Sequence, residues 1–126
     1  MSKPEISSLA SAFVVMLGGW RPLVDITECE NKLLIKIEVP GVDSASINVK
    51  VEGYKLWVEG RKDPPVARKL LLAEREYGNF FLQINLPDDV IPQSAHAVLK
   101  NGLLEISFEK SKRSFTLKIE GGEDDE

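Results

Sequence analysis

The chain has 126 residues and a mass of 14.0 kDa, which corresponds to a single domain. Its 43% hydrophobic and 29% charged residues are typical of a globular protein and exclude a wholly disordered chain. One Cys excludes an internal disulfide, and one His beside one Cys argues against a zinc or copper centre, so we expect no cofactor and a cytoplasmic location. The net charge of -4 argues against nucleic-acid binding, which depends on basic patches.

The two ends of the chain differ in composition from its middle. Residues 9–20 (LASAFVVMLGGW) form a long apolar stretch that is too short for a membrane span, which needs about 20 residues. Glu5 before this stretch and the lack of a small-x-small site after it argue against a signal peptide. We therefore predict an N-terminal apolar arm over residues 1–20. Residues 120–126 (EGGEDDE) predict a solvated acidic tail at the end of a C-terminal extension, residues 111–126.

From residue 23 onward, apolar residues recur with a period of two. Leu33, Ile35, Ile37 and Val39 alternate with mostly polar neighbours, and residues 47–51 and 56–58 repeat the pattern. This alternation is typical of strands that bury one face. Gly53-Tyr54, between the second and third of these runs, predicts a type II′ hairpin turn.

Residues 70–76 (LLLAERE) are ambiguous in type. As a strand, the segment places Leu70 and Leu72 on one side and Leu71 on the other, so a second covering surface is needed. A helix over residues 67–76 is the alternative, because the residues there have high helix propensity. We favour the strand.

The second half of the chain predicts three more strands. Residues 80–86 alternate apolar and polar side chains up to Pro87, which cannot donate to a strand ladder. Residues 96–100 and 103–109 flank Asn101-Gly102, a pair typical of a type I′ turn. About eight short strands without a long helical period predict an all-β, immunoglobulin-like antiparallel β-sandwich over residues 21–110.

Catalytic chemistry finds little support in the sequence. Asp88-Asp89 follows a proline, a position typical of turn residues. His96 and Cys29 lie in no recognisable nucleophile motif, and no glycine-rich phosphate loop is present. We therefore expect a protein that is not an enzyme.

Three motifs resemble those of the small heat-shock proteins, which are built around an α-crystallin domain. They are Val39-Pro40-Gly41-Val42, residues 74–80 (EREYGNF) ahead of Leu86-Pro87, and residues 97–104 (AVLKNGLL), which match the family's A-x-x-x-N-G-x-L signature. The resemblance covers nearly all of residues 21–119. It includes a short tail motif of two aliphatic residues separated by one, Leu117-Lys118-Ile119.

The resemblance implies an ATP-independent holdase chaperone that assembles from dimers and binds unfolding proteins. In one branch of the family, a strand within the long connecting loop crosses to the partner's sheet. This maps onto residues 70–76 and implies a dimer interface formed by Leu70, Leu71, Leu72, Glu74 and Arg75.

The resemblance also assigns two further surfaces. Leu117 and Ile119 are the expected tail anchors, and they dock into a neighbouring dimer's groove. The expected groove residues are Ile47, Val49, Val51, Ala97 and Leu99.

A holdase needs exposed apolar area, so the expected client-binding residues are those of the arm: Phe13, Val14, Val15, Met16, Leu17 and Trp20. The alternative for this patch is packing against other subunits alone.

Two other function classes remain open at this stage. A monomeric adaptor of the CS-domain type shares the sandwich and acts as a cochaperone of an ATP-driven chaperone. A secreted sandwich that serves as a binding module requires a signal peptide, against which the N-terminal residues argue. The tail motif, the strand predicted at residues 70–76 and the full A-x-x-x-N-G-x-L match favour the holdase over the adaptor.

Overall fold

Two antiparallel four-stranded sheets form the described part of the protein. The structure, a computed structural model, describes residues 14–111 and 116–121. One sheet has the strand order β1-β6-β5-β4 and the other has the order β2-β3-β8-β7. The strands are β1 (Val14–Gly19), β2 (Val24–Glu28), β3 (Lys32–Glu38), β4 (Asn48–Glu52), β5 (Lys55–Lys62), β6 (Gly78–Asn85), β7 (His96–Lys100) and β8 (Leu103–Glu109). The predicted all-β sandwich is confirmed.

The core lies between the two sheets and follows the alternation seen in the sequence. On β3, Leu33, Ile35 and Ile37 are buried, and they pair in register with buried residues of β8. Strands β5 and β6 supply the opposite layer. Its buried apolar side chains are Leu56, Val58, Phe80, Leu82 and Ile84. Each inward side chain of this kind stabilises the fold by about 1.5–3 kcal/mol relative to an exposed position.

The two predicted hairpin turns have the expected backbone geometry. Asn101 and Gly102 both have positive φ angles, 51° and 75°, as a type I′ turn requires. In the β4–β5 hairpin, Gly53 has a φ of 60° whereas Tyr54 does not have a positive φ, as expected for a type II′ turn. These turns fix which residues of β4 and β5, and of β7 and β8, face each other.

One glycine is required by packing between two neighbouring strands of the same sheet. Gly60 pairs with Phe80 across β5 and β6, and a Cβ atom at Gly60 would lie 2.6 Å from Cε1 of the Phe80 ring. The ring therefore lies against the bare backbone of β5. Any larger residue at position 60 forces the Phe80 side chain to move.

The sandwich begins earlier in the chain than predicted. Strand β1 lies within the predicted arm of residues 1–20 and pairs antiparallel with β6, so the sheet includes residues that we assigned to a separate segment. Trp20, which follows β1, has only 8% of its surface exposed and belongs to the core. The prediction that Trp20 contributes to an exposed apolar patch is therefore wrong for the single chain. The indole fills the space beside Phe80, with the two rings in edge-to-face contact at 5.3 Å.

The connection between β5 and β6 contains no regular secondary structure in the single chain. Residues 63–77 form neither the strand favoured from the sequence nor the alternative helix. Asp63-Pro64-Pro65 ends the β5 ladder, because proline cannot donate the hydrogen bond that continues it. Within the described ranges, consequently, no strand pairs with Leu70, Leu71 or Leu72.

Candidate functional site

An open apolar groove runs between the edge strands β4 and β7. Val49 pairs with Val58, and Leu99 pairs with Leu104. Because directly opposed residues of an antiparallel pair share one face, Val49 and Leu99 point toward the interior of the sandwich, as Val58 and Leu104 do. Leu99 nevertheless keeps 41% of its surface exposed.

The structure brings the five predicted groove residues to this one side of the sandwich. Ile47, Val49 and Val51 are half-buried along β4 and its approach, where they pack against the core. Ala97 and Leu99 are exposed on β7. The sequence alternation places each of these side chains on the inward phase of its strand.

One end of the groove is formed by residues that the sequence analysis missed. Next to Val51, a concavity of about 330 Å³ is lined by residues of the β4–β5 turn and of the short 3-10 turn that precedes β7. Its other lining residues are Gly53, Tyr54, Pro92 and Gln93. Only the three-dimensional approach of the two segments creates this concavity, although Pro92 and Gly53 are recognisable as turn residues in the sequence.

The chemistry of the groove suits an extended polypeptide. Edge strands present backbone N–H and C=O groups that have no strand partner on one side. Between β4 and β7 these groups flank a floor of aliphatic side chains. An added segment can bond to the edge through its backbone and insert every second side chain into the apolar floor.

The tail motif does not occupy the groove of its own chain. Leu117 and Ile119 have 75% and 85% of their surface exposed, and residues 116–120 form no strand. Both predicted anchors are therefore accessible. The acidic residues at positions 123–126 lie outside the described residues.

The predicted dimer-interface residues lie together on the irregular segment of residues 63–77. Leu71 has 88% of its surface exposed, and Leu70, Leu72 and Glu74 are also exposed. The Arg75 guanidinium contacts its own chain: it lies 5.7 Å from the centre of the Tyr77 ring. A Cβ atom at Gly41 would lie 3.3 Å from an Arg75 nitrogen, so Arg75 also reaches the Val39–Val42 turn.

The predicted client-binding residues separate into two groups. Phe13 lies outside the described residues, and so do the side chains of Val14, Val15, Met16 and Leu17, whose backbone forms β1. Trp20 is fixed in the fold, since its Nε1 donates a hydrogen bond to the Gly78 carbonyl at 2.9 Å.

The candidate catalytic residue Asp89 takes part in ion pairs that hold parts of the fold together. Asp89 lies in a turn and pairs with Lys110 at 3.2 Å, and Lys110 also pairs with Glu28 at 2.8 Å. The hydrogen bond to Glu28, followed by contributions from Asp89, raises the pKa of Lys110 above its usual value of 10.5, although desolvation partly opposes this shift. Lys110 thus links the end of β2, the turn after β6 and the end of β8.

His96 and Cys29 do not form a pair. Cys29 follows β2 at one edge of its sheet, and His96 begins β7 at the other edge. With neighbouring strands about 4.8 Å apart, three strand spacings separate them by roughly 14 Å. Within residues 14–111 and 116–121, no group of three or more His, Cys, Asp or Glu side chains is placed to hold a metal ion. The same part of the chain contains no helix with the length and hydropathy to span a membrane.

Comparison with known proteins gives a consistent family. The model of the Hsp20/alpha crystallin family matches residues 25–120. Small heat shock protein C4 of Rickettsia felis is 34% identical over 101 residues, which cover 78% of this chain and 62% of that protein. The chain therefore spans less than two thirds of the length of this relative. Heat shock protein 16 of Schizosaccharomyces pombe is 27% identical over 128 residues, which cover 91% of this chain and 90% of that protein.

A solved structure supports the same assignment. The small heat-shock protein from Xylella fastidiosa superimposes with a TM-score of 0.73 and 28% sequence identity, covering 83% of this chain and 99% of that one. The superposition covers most of the sandwich, and the family model matches the chain from Asp25 in β2 to Glu120 in the tail. On these grounds the chain belongs to the Hsp20/alpha crystallin family.

Proposed function

We propose that this protein is an ATP-independent holdase chaperone, which binds unfolding proteins and suppresses their aggregation. It assembles from dimers into larger homo-oligomers and acts in the cytoplasm. Family membership supports a chaperone role, because the relatives that match it are small heat shock proteins. The proposal requires neither a nucleotide site nor a catalytic group.

The single observation that carries this proposal is the open groove between β4 and β7. A sandwich that functions alone is expected to cover or charge its edge strands, since exposed edges recruit other chains. Here the edge strand β7 instead exposes Val98 and Leu99, and the inward face of β4 stays half-buried. The incompletely covered apolar side chains are suited to an added strand, either from another copy or from an unfolding protein.

Dimer formation is supported by the leucines of residues 70–72. Three consecutive exposed leucines are unfavourable in water, because burial of each side chain would stabilise the protein by about 1.5–3 kcal/mol relative to exposure. Strand β2 is an edge of the β2-β3-β8-β7 sheet, where the described residues supply a neighbour on one side only, so it offers a partner for an added strand. We propose that residues 70–76 of one subunit pair with β2 of the other, as the family resemblance implies.

Higher assembly is supported by the matching chemistry of tail and groove. Leu117 and Ile119 are separated by one residue, so in an extended backbone both point in the same direction, about 6.6–7 Å apart. The groove presents inward residues with the same spacing of two on β4 and on β7. The relative from Xylella fastidiosa is described as having a distinct high order structure, which accords with such assembly.

The test combines native mass with protection of a client. The purified full-length chain is expected to run as a multiple of dimers in light scattering, and to suppress light scattering by heat-unfolded citrate synthase without ATP. A monomer that protects only in the presence of an ATP-driven chaperone would instead support the adaptor of the CS-domain type. A monomer that gives no protection under either condition would contradict both functions.

A further inference from the structure

The edge of β6 is occupied by β1, a short extended segment rich in apolar residues. Strand β1 contains four consecutive apolar residues, Val14-Val15-Met16-Leu17, followed by Gly18-Gly19. Among the strands that the structure describes, it pairs with β6 alone and forms the edge of its sheet. The region matched by the family model begins at Asp25, so β1 lies ahead of it.

The pairing of β1 with β6 is irregular at one end. Val14, Val15 and Met16 pair with Ile84, Gln83 and Leu82, but the register shifts before Gly19 pairs with Phe80. Gly19 has a φ of 78°, and a Cβ atom there would lie 1.7 Å from the Asn79 carbonyl oxygen. Only glycine fits this close approach, and adjacent glycines favour a change of direction because they lack a Cβ atom.

The residue directly after this irregularity is firmly attached. Trp20 donates from Nε1 to the Gly78 carbonyl, packs edge-to-face on Phe80 and lies under the Lys62 ammonium at 4.2 Å. None of these Trp20 contacts involves β1, so they would persist if β1 were displaced from the sheet. Gly18 and Gly19 lie between this anchor and the rest of the strand, where a hinge would be needed.

Removal of β1 would leave β6 as the edge of its sheet, and this edge is suited to an apolar extended segment. The backbone groups of β6 that face β1 lose their partners, while those that face β5 keep theirs. Leu82 and Ile84 stand opposite Met16 and Val14 and are fully buried while β1 is in place. Without β1, they would lie at the open margin of the core. An unpaired strand edge beside exposed aliphatic side chains binds another extended apolar segment by strand addition.

We propose that the β6 edge is a strand-binding site that β1 occupies in the resting chain, and that an extended apolar segment of an unfolding protein replaces β1 there. This inference rests on the proposed holdase function and assigns one of its client sites. The occupant is identified by β1 itself, a run of aliphatic residues that adopts an extended conformation.

The experiment locks β1 in place with a disulfide. Val15 and Gln83 are directly opposed, so V15C/Q83C in a C29S background satisfies the Cα separation of about 4.4–6.8 Å that a disulfide needs. The matched control, N48C/E59C in the same background, joins β4 to β5 and leaves β1 free. Each variant is assayed with heat-unfolded citrate synthase, oxidised and after reduction.

The oxidised V15C/Q83C variant is expected to lose most of its protection and to regain it on reduction, while the control protects in both states. If wild type protects and the locked variant protects equally, the β6 site is wrong and the holdase function stands. A wild-type chain without protection overturns both.

A second measurement locates the client on the chain. A benzoylphenylalanine photo-crosslinker replaces Gln83 on β6 or, as the control, Glu105 on the central strand β8. Client adducts are expected from position 83 and not from position 105. Normal protection without adducts at position 83 would show that the client binds elsewhere, which would overturn the assignment of the β6 edge.

Discussion

The ammonium of Lys62 lies 4.2 Å from the centre of the Trp20 ring. This contact joins the end of β5 to the residue that follows β1, and both side chains are buried. A cation over an indole face is attracted by the ring's negative electrostatic potential, and the Lys62 stem covers apolar surface as well. Trp20 is therefore a structural anchor, which separates it from the other residues of the predicted client-binding patch.

Replacement of Trp20 by Ala is expected to lower the free energy of unfolding by about 3–5 kcal/mol, the usual cost of removing a buried aromatic side chain. Trp57→Ala serves as the control, because Trp57 is only half-buried on the outer face of β5. Urea titrations followed by circular dichroism measure both variants. In a Trp57→Phe background, the remaining indole should resist quenching by acrylamide; ready quenching would show that Trp20 is exposed.

Gly60→Ala is expected to destabilise the sandwich by about 1–3 kcal/mol, as overpacked cores do. The physical reason is the 2.6 Å approach between the added Cβ and Cε1 of Phe80. Chemical denaturation measures the loss. Combining Gly60→Ala with Phe80→Leu should cost less than the sum of the two single changes, because the smaller side chain relieves the overlap. Additive losses would place the strain elsewhere.

Replacement of both Leu70 and Leu72 by Ser is expected to dissociate dimers, since the apolar area that drives pairing is removed. Val66→Ser is the matched control: Val66 is fully exposed in the same segment but lies ahead of the proposed pairing strand. Sedimentation velocity reports the mass, and circular dichroism checks that strand content is unchanged. A double variant that remains dimeric would show that another surface forms the interface.

Ile119→Ala is expected to reduce the native assembly toward dimers without loss of strand content. The side chain is exposed in the single chain and is proposed to enter a neighbour's groove. Lys118→Ala changes the adjacent residue, which points the opposite way in an extended backbone, and should leave the mass unchanged. Leu99→Glu, on the receiving strand, should reproduce the effect of Ile119→Ala. Light scattering that gives the wild-type mass for both Ile119→Ala and Leu99→Glu would remove the docking proposal.

The Lys110 ion pairs predict a pH dependence at the alkaline end. Its folded-state pKa is raised above 10.5, chiefly by the hydrogen bond to Glu28 and then by Asp89. A group of this kind stabilises the fold fully below its unfolded pKa, and the stabilisation disappears as the pH rises through the raised folded value. The difference in unfolding free energy between wild type and Lys110→Met should therefore be constant near neutral pH and diminish above 10.5. A difference that stays constant into that range would contradict the assignment.

The period-two alternation was sufficient to predict most of the sandwich. Leu33, Ile35 and Ile37 are buried as predicted because a strand alternates its side chains between two faces, and the core accepts only the apolar face. Asn101-Gly102 likewise fixes its turn locally, through the positive φ angles that these residues tolerate. Such features depend on neighbours in the sequence, so the sequence contains the information directly.

Strand β1 could not be identified in this way. Four consecutive apolar residues show no alternation, so the segment is equally compatible with an arm, a strand or a buried contact. Its pairing with β6 joins residues that are far apart in the sequence, for example Val15 and Gln83, and only the folded sheet brings them together.

Local patterns were enough to identify the family motifs, the turn positions and the inward face of the core strands. The folded chain was needed to show that Trp20 is buried, that an open groove lies between β4 and β7, and that no described strand pairs with residues 63–77. This difference arises because the local pattern sets which face of a strand is apolar. Whether that face is covered depends on distant segments, whose approach is settled by the packing of the whole sandwich.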